Sequence, residues 1–158
     1  MNYVKLDLAA LGLVSVLVMA PVMIHAATTA GFTGPVELRV DDLRMPLGID
    51  DTAPRFSWQL QDPTHGANQT GYQVQVASSA ELLKQNKPDV WDSDRVASSK
   101  SLGVAYAGPA LKPSTRYFWR VQLWDATGKV YAPSEPSWWE TGLLTQDAWT
   151  AKWIGYET

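Results

Sequence analysis

The chain has 158 residues, with 16 acidic and 13 basic side chains, eight Trp, six Tyr and no Cys. A net charge of −3, scattered along the sequence, leaves no basic patch for phosphates and excludes a nucleic-acid reader. Without Cys there is no disulfide, no lipoprotein anchor and no thiol nucleophile, so stability rests on packing, where truncating one buried aromatic costs about 3–5 kcal/mol.

Lys5 precedes a mostly apolar run over residues 8–24, interrupted by Gly12 and Pro21, and residues 26–31 are all small. This predicts a Sec-type signal peptide, residues 1–26, cut near Ala26 or Ala27. The other reading is an uncleaved anchor, which needs about 20 apolar residues. Pro21 and the small-residue tail favour cleavage, which leaves no stable membrane anchor and exports the remainder to the periplasm or the cell exterior. Residues 27–158 suffice for one domain with its own core.

Residues 27–35 read as a linker. Val36, Leu38 and Val40 alternate with Glu37 and Arg39 as a first strand. Residues 41–51 are turn-like, with Pro46 and Gly48. Phe56, Trp58 and Leu60 mark a second, half-buried strand, and Tyr72, Val74 and Val76 a third. Residues 80–85 fit one or two helical turns capped by Ser79. Residues 90–92 make a short strand at best; residues 103–108 make another, with Val104 and Tyr106 on one face.

Residues 111–124 organise the rest. Pro113 presets a turn, and from Tyr117 the pattern has period two. Tyr117, Trp119, Val121 and Leu123 share the core-facing side; Phe118, Arg120, Gln122 and Trp124 share the other. Residues 125–129 read as a hairpin turn with Gly128, and Trp139, Thr141 and Leu143 as a last strand paired with the central one. The spacing Leu111-x-Pro113-x-Thr115-x-Tyr117-x-x-x-Val121 resembles the E–F corner of fibronectin type III domains, where a tyrosine hydroxyl bonds back to the turn backbone. The expectation is an all-β, fibronectin type III-like (immunoglobulin-like) two-sheet sandwich of about seven strands over residues 36–145. Its structural residues are Tyr117, Trp119, Val121, Trp58 and Tyr72. Residues 149–155 are apolar and strand-prone, and residues 146–158 read as the start of a following β domain, so that the sequence is expected to be a fragment.

The residues offer little chemistry. Glycoside hydrolysis needs two carboxyl groups facing across a cleft, about 5–9.5 Å apart. Asp41/Asp42 and Asp50/Asp51 are adjacent, and neighbours on a strand point to opposite faces. Asp92 and Asp94 could share a face, but an Asp at a strand end usually caps backbone amides. His65 is the one His outside the signal segment and has no neighbouring metal ligands or triad context. Asn68-Gln69-Thr70 matches a glycosylation sequon and is read as chance. No catalytic residue, metal site or cofactor is expected. Trp91, Trp124, Trp138, Trp149 and Trp153 are predicted off the core face. They suit a domain interface, ranked first, or a sugar-stacking platform.

Pro46-Leu47-Gly48-Ile49-Asp50 with Pro54-Arg55-Phe56-Ser57-Trp58 resembles the start of bacterial α-L-rhamnosidases of glycoside hydrolase family 78. The similarity continues through Gln69-Thr70-Gly71-Tyr72-Gln73-Val74-Gln75-Val76-Ala77 and Val90-Trp91-Asp92-Ser93. It extends to Thr115-Arg116-Tyr117-Phe118-Trp119-Arg120-Val121, Trp124-Asp125 and Glu140-Thr141-Gly142-Leu143. Met45, Gly71 and Asp94 depart from residues common in that family. The resemblance implies the non-catalytic N-terminal sandwich of an exported enzyme that releases terminal α-L-rhamnose with inversion. The family's catalytic carboxylates lie in a downstream (α/α)6 barrel, and no position here matches their motif. The implied partners are downstream domains of the same polypeptide and rhamnose-containing glycans. The alternative is a stand-alone carbohydrate-binding or protein-binding sandwich.

Overall fold

The computed structural model describes residues 33–145 and Thr150. The expected signal peptide and following β domain, with Trp149 and Trp153, lie outside the described residues.

Among the described residues, seven strands and one short helix follow in the order β1 (Gly34–Val40), β2 (Arg55–Gln61), β3 (Gln69–Ala77), α1 (Ala80–Lys84), β4 (Trp91–Asp92), β5 (Val104–Ala105), β6 (Arg116–Asp125) and β7 (Ser137–Glu140). One sheet has the order β1-β2-β5, the other β4-β3-β6-β7, and every strand pair within them is antiparallel.

β1 begins at Gly34, inside the expected linker, where Gly34 and Pro35 pair with Gln61 and Leu60. Pro35 is tolerated because β1 is an edge strand. The expected Val36–Leu38–Val40 alternation is interrupted. The register shifts between Val36 and Arg39, and Glu37 takes φ +54°, so Val40 is fully buried while Val36 and Leu38 are half-buried. A bulge of this kind inserts one residue and re-aims its neighbours.

After β1 the chain changes sheets. Val40 and Leu43 exchange backbone hydrogen bonds at 2.9 and 3.0 Å. Residues 46–49 then run parallel to the end of β7. Glu140 N–H donates to Pro46 O (2.9 Å), Ile49 N–H to Glu140 O (2.9 Å) and Gly142 N–H to Ile49 O (2.8 Å). The free edge of the larger sheet is thereby paired, which removes a template for edge association.

Phe56 is central to the core, with ring centroids 4.6 Å from Trp119 and 5.4 Å from Trp139. Trp58 meets Tyr72 edge-on at 5.3 Å, and Tyr117 stacks on Trp139 at 5.2 Å. The indole N–H groups of Trp119 and Trp139 are buried without an acceptor. Trp91 corrects one expectation. It pairs with Val76 across β4 and β3, and directly paired residues share a sheet face. Its ring therefore turns inward, 5.1 Å from Tyr106 and 6.4 Å from Phe56.

The last strand is also shorter than expected. It ends at Glu140; Thr141 makes an isolated bridge to Ile49, and Leu144, at φ +60°, packs on the core in place of Leu143. α1 forms where the Ser79 hydroxyl accepts the Leu82 amide at 3.3 Å. It lies against β3 and β6 and buries Leu83 completely, apart from the main core.

Candidate functional site

Three regions could carry function: the outer face of the larger sheet, the pole bearing the β2–β3 and β6–β7 loops, and the pole where the chain leaves β7.

On the outer face, Trp124 and Trp138 are half-buried, and each carries a cation. The Arg95 guanidinium lies 5.2 Å from the Trp124 ring centre and that of Arg116 lies 4.1 Å from Trp138. Arg116 is also bonded to Glu140 at 3.0 Å. A sugar ring stacking on the covered side would have to displace a guanidinium held by cation–π attraction. Between the two Trp residues runs a polar network. Arg120 donates to Gln75 Oε1 (2.8 Å) and Asn86 Oδ1 (2.7 Å). Gln75 and Gln73 donate to the two Asp92 carboxylate oxygens at 2.9 and 2.7 Å. Burial lowers the Arg120 pKa, and the Asp92 charge opposes that shift.

One carboxylate of each candidate pair is committed to structure. Asp92 accepts the Asp94 amide (2.9 Å), Asp41 the Arg55 amide (2.8 Å) and Asp51 the Ala53 amide (2.8 Å). Among the described residues no cluster of three or more His, Asp or Glu is placed to hold a metal ion.

At the β2–β3/β6–β7 pole, a groove of about 410 Å³ is bounded by both loops. One Asp62 oxygen accepts the Lys129 ammonium and the Tyr131 hydroxyl, each at 2.9 Å; the other accepts the Thr64 amide at 2.8 Å. The hydrogen bonds from Thr64, then those from Lys129 and Tyr131, hold the Asp62 carboxyl well below the usual carboxylate range. The bond to Asp62 raises the Lys129 pKa. His65 lines this groove.

The exit pole is the most tightly cross-linked. The Tyr117 hydroxyl accepts the Lys112 amide at 2.8 Å, which is the geometry of a tyrosine corner. Thr141 Oγ1, buried, donates to Lys112 O (2.7 Å) and accepts the Thr115 amide (3.0 Å). Ser114 N–H donates to Gly142 O (2.8 Å), and the Asp50 carboxylate packs so closely on Gly142 that a Cβ there would have to displace it. The segments Pro46 to Asp50, Thr115 to Tyr117 and Glu140 to Gly142, far apart in sequence, meet at this seam. Sequence reasoning found Tyr117 but missed Thr141. The available signal was its place in the alternation after Trp139, since an inward hydroxyl must find partners.

Two antiparallel sheets, a segment after the first strand that passes from one to the other and a tyrosine corner define an immunoglobulin-like β-sandwich module. The chain belongs to the family described as Rha78A-like, N-terminal immunoglobulin domain, which it matches over residues 35–145. An alpha-L-rhamnosidase of Streptomyces avermitilis is 53% identical over 115 residues, covering 73% of this chain and 11% of that protein. The crystal structure of the Streptomyces avermitilis alpha-L-rhamnosidase complexed with L-rhamnose superposes with a TM-score of 0.75 at 49% identity, covering 78% of this chain and 12% of that one. The alpha-L-rhamnosidase from Dictyoglumus thermophilum gives a TM-score of 0.76 at 38% identity, covering 80% and 14%. The chain thus spans only a small fraction of the relatives it matches.

Proposed function

We propose that this chain is the non-catalytic N-terminal accessory module of an exported α-L-rhamnosidase of glycoside hydrolase family 78. The hydrolysis of terminal α-L-rhamnose would belong to a barrel downstream of residue 158. The family match over residues 35–145 carries the reading. The aspartates at Asp41, Asp51 and Asp92 support it, because each is spent on backbone amides. The signal-like composition of residues 1–26 supports export.

The test is made in the full-length enzyme. The variants Asp41→Asn/Asp42→Asn, Asp50→Asn/Asp51→Asn and Asp92→Asn/Asp94→Asn should leave kcat on a rhamnoside unchanged. A loss of about 100-fold at any pair, the scale of general acid–base catalysis, with Tm preserved, would place catalysis in this module.

A second reading, sugar binding, rests on the half-buried Trp124 and Trp138. Titrating L-rhamnosides into the chain while following Trp fluorescence decides between the two. The accessory reading expects no saturable quench at millimolar ligand. A quench that Trp138→Ala or Trp124→Ala abolishes would select the second.

A further inference from the structure

The loops joining β2 to β3 and β6 to β7 meet at one end of the sandwich, the end that variable immunoglobulin domains use for recognition. The groove between them, about 410 Å³, falls in the range of about 300–1,000 Å³ typical of small-ligand clefts. Its framework is fixed. The Asp62 side chain is 3% exposed and ties the two loops together through Lys129 and Tyr131. On the β6–β7 side, Asp125 Oδ1 accepts the Thr127 amide (2.8 Å), the Thr127 hydroxyl (2.7 Å) and the Lys129 amide (2.9 Å). On the β2–β3 side, Gly66 turns the chain at φ +76°, and the Ala67 amide donates to Thr64 O at 3.0 Å. A groove held in this way is preorganised, which lowers the ordering cost of binding.

Two lining side chains stand outside the framework. His65 and Asn68 are exposed and make no hydrogen bond to any described residue. An imidazole and a primary amide each offer both a donor and an acceptor. The other groups narrow the ligand. Two carboxylates, Asp62 and Asp125, against one ammonium, Lys129, disfavour an anion. A cation gains little, because Asp62 already holds Lys129 and its second oxygen accepts the Thr64 amide. The uncharged lining at Gly66, Ala67 and Ala126 is too small to make an apolar pocket. What matches the free imidazole and amide is a hydroxyl group, which likewise both donates and accepts.

We propose that this groove binds a neutral, hydroxyl-rich ligand of the glycoside class, with His65 and Asn68 making the direct contacts and the Asp62–Lys129–Tyr131 cluster holding the floor. The site goes beyond the accessory role and does not depend on the activity of any longer protein. No described Trp lines the groove, so Trp fluorescence is silent here, and the titration of the outer face is read separately from this one.

The test is a titration of the full chain with the methyl glycosides of L-rhamnose, D-glucose and D-galactose, followed by amide NMR shifts. At least one glycoside should give saturable shifts in the millimolar range, confined to residues 62–68 and 125–131. His65→Ala and Asn68→Ala remove exposed side chains without hydrogen bonds, so the fold is retained. Each should weaken the binding by about three- to tenfold, the worth of one hydrogen bond. Acetate and methylammonium should leave the same amides unmoved. No saturable shift with any of the three glycosides would overturn the proposal. An affinity unchanged in either variant, shifts centred on Trp124 and Trp138 instead, or equal shifts with acetate or methylammonium overturn it as well.

Discussion

Thr141 Oγ1 stands between two backbone groups of the same turn, donating to the Lys112 carbonyl at 2.7 Å and accepting the Thr115 amide at 3.0 Å. The hydroxyl joins the end of β7 to the approach to β6 across 26 and 29 residues of sequence. Thr141→Val keeps the shape and removes the bonds. It should destabilise the domain by about 1–3 kcal/mol, the cost of leaving part-buried backbone groups unpaired, as read from urea unfolding. An unchanged midpoint would mean that water replaces the hydroxyl.

Tyr117→Phe removes the acceptor of the Lys112 amide. The expected loss is again about 1–3 kcal/mol, seen as a drop in Tm. Lys112 takes part in both bonds, so the Tyr117→Phe/Thr141→Val double variant should lose less than the two single losses added together, as coupled neighbours do. Strict additivity would show two independent latches rather than one seam.

Gly108→Ala tests the aromatic packing around Trp91. A Cβ there would lie 2.6 Å from Tyr106 Cζ and 2.7 Å from Trp91 Cβ. Neither neighbour can withdraw easily. The Tyr106 hydroxyl is anchored on Pro109 O at 2.7 Å, and both rings pack against Phe56. Burial, with a smaller contribution from Tyr117, pushes the Tyr106 pKa up to about 12. Overpacking of this kind costs about 1–3 kcal/mol, measurable as a lower unfolding midpoint with the secondary structure retained.

Asp62 and Lys129 set a pH window. The Asp62 pKa is lowered on folding, so its stabilisation is present above the unfolded carboxylate value, about 3.9, and fades as pH falls through the lower folded value. The Lys129 pKa is raised, so its stabilisation is present below about 10.4 and fades as pH rises through the higher folded value. The Tm deficit of Asp62→Asn relative to the parent chain should be flat from about pH 5 to 9 and narrow on both sides. A deficit that does not narrow at all between pH 5 and pH 2 would assign the effect to packing instead of charge.

β6 was fully legible in the sequence, because ten residues of strict alternation overdetermine one strand and its inward face. The Ser79 cap and the Gly128 turn were legible for the same reason, being local chemistry. Trp91 was not: β4 has two residues, too few for a periodicity, and its direction follows from pairing with Val76. The parallel pairing of residues 46–49 with β7 left no local trace either, since both partners lie in irregular backbone and meet only through the fold. The Arg120–Gln75–Asn86–Asp92 network likewise joins side chains from β6, β3, the end of α1 and β4. In the sequence Asp92 reads as a turn cap and Arg120 as one residue of the outer face of β6, and nothing local links them to Gln75 and Asn86.

On the proposed reading this module contributes structure and not chemistry to a longer enzyme. The most direct measurement of this is the release of nitrophenol from nitrophenyl α-L-rhamnoside by the purified chain, followed over hours at high protein concentration. The account predicts a signal indistinguishable from buffer. Release that scales with the concentration of the chain and disappears on thermal unfolding would contradict it.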